Sequence, residues 1–273
     1  MDMAHGFRFP ETFWLFGCGN MAGAMLARWL EQGVDPAGIT VIRKSGRPVA
    51  PGVRVLTGVP TGERPPAALM IGVKPQMLDA VADGVAAAAG PQTLLLSIMA
   101  GTTTGTLGSH FPRAGAIVRA MPNTPVAIGR GVVGLHAARG TDDQRALAMA
   151  MMQPLGLAEW IADEALFDAV TALSGSGPAF LFRFIDALAR GGAALGLPAD
   201  QAARFACATV EGAAMLAAAA DEDPGALAER VASPGGSTRK GLDVLDEGDA
   251  LTGLVTRTLE AARRRNAEMA AGK

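Results

Sequence analysis

The feature that most constrains this chain is a glycine turn. The apolar run Phe13-Trp14-Leu15-Phe16 passes directly into Gly17-Cys18-Gly19-Asn20-Met21-Ala22, a G-x-G-x-x-A sequence followed by an amphipathic helical pattern. In a strand-turn-helix context each small residue has a task. Gly17 makes the tight turn, Gly19 leaves bare backbone that a pyrophosphate can approach, and Ala22 lets the helix pack closely on the strand. The helix start then turns the N–H groups of Asn20, Met21 and Ala22 toward the phosphates, at the positive end of the helix dipole.

The sequence around this turn has the alternation of a βαβ fold with a parallel sheet. Strands are expected at residues 13–17, 39–43, 53–56, 68–73, 93–98, 116–119, 132–136 and 157–161, and helices at 21–32, 76–89, 103–110 and 142–152. The crossover between the second and third strands, residues 45–52, holds two prolines and two glycines and is too short and broken for a helix. After Asp163 the texture changes to long Ala/Leu-rich helical stretches at 176–195, 198–220 and 224–231, with a further helix from Thr238 through most of the tail. A length of 273 residues exceeds the usual single compact domain. The expected architecture is an α/β Rossmann-type dinucleotide-binding domain over residues 1–162, followed by an all-α domain over residues 163–273. Two of the later helices are so poor in polar residues that a monomer would leave apolar stripes in water, which predicts a dimer packed through them.

Several function classes are excluded by composition. The net charge of −2, with no Lys/Arg stripe interleaved with aromatics, argues against a nucleic-acid partner. Cys18 and Cys207 are too few for a disulfide framework and suit a reducing compartment. No cationic and apolar leader is legible in residues 1–10, and Arg, Asp and Glu interrupt the Ala-rich segments, so a cytoplasmic chain with no membrane span is expected. His5, His110 and His136 show neither metal-ligand spacing nor a nucleophile constellation, and no metal is expected.

Further candidates lie at predicted strand ends. The second strand ends in Arg43-Lys44-Ser45, where dinucleotides lacking a 2′-phosphate usually meet an Asp or Glu. Two cations and a hydroxyl suit a phosphate instead, predicting NADPH in preference to NADH, with NADH an alternative. The fourth strand ends in Val73-Lys74-Pro75 and the fifth in Ser97-Ile98-Met99-Ala100-Gly101, both expected beside the cofactor, with Lys74 contacting a ribose or capping the sheet in preference to acting as a catalytic acid. Arg119-Ala120-Met121-Pro122-Asn123-Thr124-Pro125 is expected to line the cleft, although a plain turn accounts for it too. Ser174-Gly175-Ser176-Gly177-Pro178-Ala179 reads as a capped helix start. Ser233-Pro234-Gly235-Gly236-Ser237-Thr238 also precedes a helix, where several N–H groups and hydroxyls converge on a positive dipole end and can hold a carboxylate without an arginine.

Taken together, these motifs resemble the pyrroline-5-carboxylate reductase family over nearly the whole chain, the last motif most specifically. The resemblance implies hydride transfer from NAD(P)H to the C=N carbon of 1-pyrroline-5-carboxylate, giving proline in the last step of its biosynthesis. It implies that Ser233, Gly236, Ser237 and Thr238 hold the substrate carboxylate, with the Thr238 hydroxyl near the ring nitrogen. It also implies a homodimer through the helical domain, further assembly into a decamer, and active sites that use both chains. This chain departs from the family where Thr57-Gly58-Val59-Pro60 lacks an Asn that relatives use on adenosine, where Phe180 replaces Tyr, and at Cys18. Two other readings remain open. A β-hydroxyacid-type dehydrogenase needs a general base, for which the second half offers only Lys240 before Lys273, and a non-catalytic NADPH-binding protein needs no such group.

Overall fold

The computed structural model describes residues 8–270. His5 and Lys273 therefore lie outside the described residues. The strands are β1 (Phe13–Phe16), β2 (Ile39–Ile42), β3 (Arg54–Leu56), β4 (Ala68–Ile71), β5 (Leu94–Ser97), β6 (Ala116–Pro122), β7 (Gly131–Arg139) and β8 (Gly156–Trp160). They form one eight-stranded sheet in the order β3-β2-β1-β4-β5-β6-β7-β8. Between them run α1 (Asn20–Glu31), α2 (Leu78–Ala88), α3 (Thr104–His110) and α4 (Asp142–Met152).

The central strands are apolar at every position because both sheet faces are covered. Phe13 and Leu15 point into a core shared with Met25, Leu26 and Trp29 of α1, while Trp14 and Phe16 point into a second core shared with Leu78 and Val85 of α2 and Leu107 of α3. The buried Trp29 indole N–H donates to the Met151 carbonyl at 2.7 Å, which ties α1 to α4. This period of two fixes the register: a slip by one residue would exchange the two cores.

From β3 to β6 the neighbours are parallel, with Phe13 opposite both Ile39 and Ala68. The expected parallel sheet is found from β3 to β6, but β7 runs antiparallel to β6, with Met121 opposite Gly134. The cause is the connection. Only residues 123–130 separate these strands, and they coil into the 3-10 turn Thr124–Ile128, whereas a parallel return needs a dozen or more residues. With α4 as crossover, β8 then pairs parallel to β7. The link from β2 to β3 contains no helix, as its prolines and glycines require.

Packing divides the chain after Ser176, residues Gly177–Ala262 forming the second unit. Sequence texture changes earlier, at Asp163. The intervening helix α5 (Phe167–Val170) packs with the sheet, since Phe167 is fully buried and the Arg119 guanidinium lies 4.4 Å above its ring centre. A correction concerns Ser174 to Ala179. A helix does start at Gly177, but in place of a cap Thr171–Gly175 form a π-helical turn, closed by the Ser176 N–H on the Thr171 carbonyl at 2.9 Å. The Ser174 hydroxyl donates back to the Val170 carbonyl at 2.8 Å and caps nothing.

The remaining helices are α6 (Gly177–Ala194), α7 (Ala199–Ala219), α8 (Pro224–Val231), α9 (Ser237–Asp246) and α10 (Ala250–Ala270). The helix expected from Thr238 onward is thus two, because Gly248 and Asp249 both adopt positive φ, 57° and 59°. Despite their charges, Glu164–Ala194 and Ala199–Ala219 are long and apolar enough, by length and composition, to cross a bilayer, a test that the core helix of a soluble protein also passes. Within the second unit α6 packs against α7, and Phe182, Phe205, Met215 and Leu216 remain largely exposed.

Candidate active site

Beyond the carboxyl ends of β1, β2 and β4, a cleft of about 510 Å³ is lined by Gly17, Cys18, Gly19, Arg43, Lys44, Ser45, Val73 and Lys74, among others. Its size falls within the roughly 300–1,000 Å³ of small-molecule sites. A larger depression of about 600 Å³, between Phe9 and Gly38, lies at the amino-terminal ends of β1 and β2, the side on which open α/β sheets do not bind ligands.

The turn at the cleft floor is built by glycine geometry. Gly17 has φ +79°, and a Cβ there would stand 2.6 Å from Val73 Cγ1 and 3.1 Å from the Gly72 carbonyl oxygen. Gly19 caps α1 without any side-chain hydrogen bond, and a Cβ on it would meet no protein atom within 4 Å. Gly19 thus presents bare backbone to the cleft just ahead of the first amides of α1, which fits a pyrophosphate, whereas the expected Asn20, Met21 and Ala22 are not among the cleft residues. Ala22 itself is buried, its methyl group 2.9 Å from where a Cβ on Gly72 would lie, so close helix-to-strand packing is realised.

Arg43 is half-buried and Lys44 exposed at the cleft edge, and none of the lining residues is acidic. The Arg43 charge reaches the turn. Burial pushes the Cys18 thiol above its ordinary value, and Arg43 offsets part of that rise. The donor set of bare amides, a guanidinium and an ammonium therefore fits a dinucleotide carrying an additional phosphate.

Not every expected residue lines the cleft. Pro75 begins an exposed 3-10 turn, Met99 is buried in the core and Ala100 is exposed, and none of the three is among the cleft residues. Residues 119–125, the end of β6 and the turn after it, are absent from this wall, in line with the plain-turn alternative, and Arg119 and Asn123 are bound inward. Buried Asn123 accepts from the Val132 N–H at 2.8 Å and donates to the Ser174 carbonyl at 2.9 Å. Arg119 donates to Glu164 at 3.3 Å, and the same carboxylate accepts the Thr104 amide at 2.8 Å and its hydroxyl at 2.5 Å. Burial alone would raise the Glu164 carboxyl, but the Thr104 bonds and then Arg119 outweigh it and hold the group below its ordinary value. Sequence reasoning did not bring these three residues together, and it also missed Met77, at the end of the 3-10 turn, and Ala80, Val81 and Gly84 of α2.

The second unit holds the other expected constellation. Gly235 adopts φ +71°, the Gly236 N–H closes a turn on the Ser233 carbonyl at 2.9 Å, and α9 starts at Ser237 with no side-chain cap. Ser233, Ser237 and Thr238 are exposed. Arg239 ties together the two helices that flank this turn, donating to both Glu229 oxygens on α8 and to Asp243 and Asp246 on α9 at 2.7 to 3.0 Å. Lys240 pairs with Asp243 at 3.2 Å. Among the described residues no group of three His, Cys, Asp or Glu side chains is placed to hold a metal ion.

A doubly wound sheet with a glycine turn, a cation pair at the second strand and a helical second unit defines a protein of the Rossmann dinucleotide-binding class. Residues 164–269 match the family model for pyrroline-5-carboxylate reductase dimerisation. The chain is 35% identical to the pyrroline-5-carboxylate reductase of Pseudomonas aeruginosa over 93% of its length and 95% of the relative's, and 36% identical to that of Synechocystis sp. over 93% and 97%. Among solved structures it is similar to a pyrroline-5-carboxylate reductase from Coxiella burnetii, with TM-score 0.87 and 31% identity over 96% of this chain and 98% of the other. It also shares the fold of a Plasmodium falciparum pyrroline carboxylate reductase with NADP bound, with TM-score 0.83 and 23% identity over 97% and 99%. The chain belongs to the pyrroline-5-carboxylate reductase family.

Proposed function

We propose that this chain reduces 1-pyrroline-5-carboxylate to proline with NADPH. Gly17, Gly19 and the amides of Asn20, Met21 and Ala22 hold the pyrophosphate, Arg43 and Lys44 hold the 2′-phosphate, and Val73 and Lys74 flank the nicotinamide-side ribose. When bound, NADPH supplies the hydride. We assign lesser roles to Pro75, Met99 and Ala100, which shape the strand ends from outside the cleft wall.

One observation carries the substrate assignment: the uncapped start of α9, with the Ser237 and Thr238 hydroxyls exposed beside it. Hydrogen bonds to a charged group contribute roughly 1.5–3 kcal/mol each. Two or three of them suffice for the roughly 4 kcal/mol of a millimolar complex even after part is lost to ordering. Ser233, Gly236 and Ser237 bind the carboxylate, and the Thr238 hydroxyl orients the ring nitrogen. A protonated imine is already electrophilic, and hydride addition turns it into a neutral secondary amine that takes its second proton from water, so the chain needs no strong acid or base. Its contribution is alignment of the reacting carbon.

The exposed apolar residues of α6 and α7 make the contact of a homodimer, in keeping with the dimerisation family matched by this region. Free Cys18 and Cys207 suit a cytoplasmic setting. The test is oxidation of NADPH by the purified chain with 1-pyrroline-5-carboxylate, with proline identified as product. Turnover is expected in wild type and a large loss in Thr238→Ala with NADPH binding intact. NADPH binding without proline formation, or full turnover in Thr238→Ala, would refute the assignment.

A further inference from the structure

The sheet order places the second nucleoside of a bound dinucleotide. With its pyrophosphate at Gly19 and its extra phosphate at Arg43 and Lys44, the adenosine half extends toward β2 and β3, the edge side of the sheet. There the cleft continues as a recess between the loop after β3 and one face of α2. Its walls are Thr57, Gly58 and Val59 on one side and, on the other, Met77 of the turn before α2 with Ala80, Val81 and Gly84 of α2. Gly84 lets the two walls approach, since a Cβ there would come within 3.0 Å of Val59 Cγ2 and 3.4 Å of Phe16 Cε1.

The chemistry of this recess is one-sided. Of its side chains only the Thr57 hydroxyl can exchange a hydrogen bond, and Thr57 is exposed. The carboxylates of α2, Asp79 and Asp83, are exposed and do not line it. An apolar slot accepts the faces of any purine, whereas recognition of a purine edge requires placed donors and acceptors. The charged groups of the cleft sit at the other end of this nucleoside, at the phosphate.

We propose that this cleft selects its dinucleotide by the 2′-phosphate and is indifferent to the purine edge, so that it takes the 6-oxo purine form of NADPH as readily as the 6-amino form. The inference rests on the reading of the cleft as an NADPH site. The geometry assigns Val59, Met77, Ala80 and Val81 as the base-holding surface and Arg43 with Lys44 as the discriminating one.

The test compares reduced nicotinamide hypoxanthine dinucleotide phosphate with NADPH, by direct binding and by KM with 1-pyrroline-5-carboxylate. A lost hydrogen bond to the purine edge would weaken the analogue by about fivefold or more. The expected ratio of affinities is below that value. A larger ratio, with NADPH itself binding and turning over normally, overturns the inference while leaving the NADPH reading intact. Failure of both dinucleotides to bind removes that reading and the inference with it.

Discussion

Replacing Arg43 by Ala separates the phosphate from the rest of the cofactor. The substitution spares the sheet, because the contact that holds this position to β3 is made by its backbone, the Arg43 N–H donating to the Leu56 carbonyl at 2.9 Å. What is lost is one guanidinium. A hydrogen bond to a charged partner contributes roughly 1.5–3 kcal/mol, and a half-exposed side chain belongs near the lower limit. A loss of about 1.5–2 kcal/mol corresponds to a KM for NADPH raised about 10- to 30-fold, with Lys44 left as the second cation. NADH carries no 2′-phosphate, and its KM should change by less than about twofold. Steady-state kinetics with each cofactor give the ratio directly. Salt offers a second readout: at about 0.5 M the Debye length falls well below the roughly 8 Å of physiological strength, so wild type should lose NADPH affinity more steeply than the variant. Equal shifts for both cofactors, or no shift for either, would refute the placement of the phosphate at Arg43.

Other perturbations test the scaffold. Arg119→Ala should destabilise the chain by about 2 kcal/mol in urea titrations, less than the roughly 3–5 kcal/mol of a fully buried pair, because Thr104 still donates twice to Glu164. Glu164 titrates below the ordinary 4.5, so its contribution is complete above that value and lost as pH falls through its folded-state value. The stability gap between wild type and Glu164→Gln should accordingly be flat at neutral pH and close in acid, and a gap that widens in acid would contradict the ion pair. Alkylation of Cys18 should accelerate at higher pH than for an ordinary thiol, given the burial that raises it, and NADPH should protect it because the thiol lines the cleft. Arg239→Ala should raise the KM for 1-pyrroline-5-carboxylate severalfold and leave that for NADPH unchanged, whereas equal changes in both would mean a general loss of structure.

Local chemistry was the readable part of the sequence. The glycine turn, the Arg43-Lys44 pair and the Ser233 to Thr238 turn each occupy a few consecutive residues, and their geometry follows from φ preferences and helix ends. Strand positions followed equally from apolar runs between turn residues. The direction of β7 did not, because Gly131–Arg139 has the same pattern in either sense and only the short link from β6 turns it antiparallel. The Glu164 cluster was unreadable for another reason: its partners Thr104 and Arg119 stand 60 and 45 residues away. The π-helical turn begins at Thr171, whose hydroxyl donates to the Phe167 carbonyl at 2.7 Å, and no local propensity encodes it. The break at Gly248 was available in the sequence as a glycine between two acidic residues, but the helical texture on both sides masked it.

The helix-free link between β2 and β3 bears on how such a protein diversifies. Because residues 43–45 contribute no side chain to either hydrophobic core, they can vary at little cost to folding, whereas Gly46, at φ +60°, is held to glycine by its turn. Exchange of Arg43 and Lys44 for an acidic residue would then be a short evolutionary step toward the other nicotinamide dinucleotide, open to directed redesign by the same route.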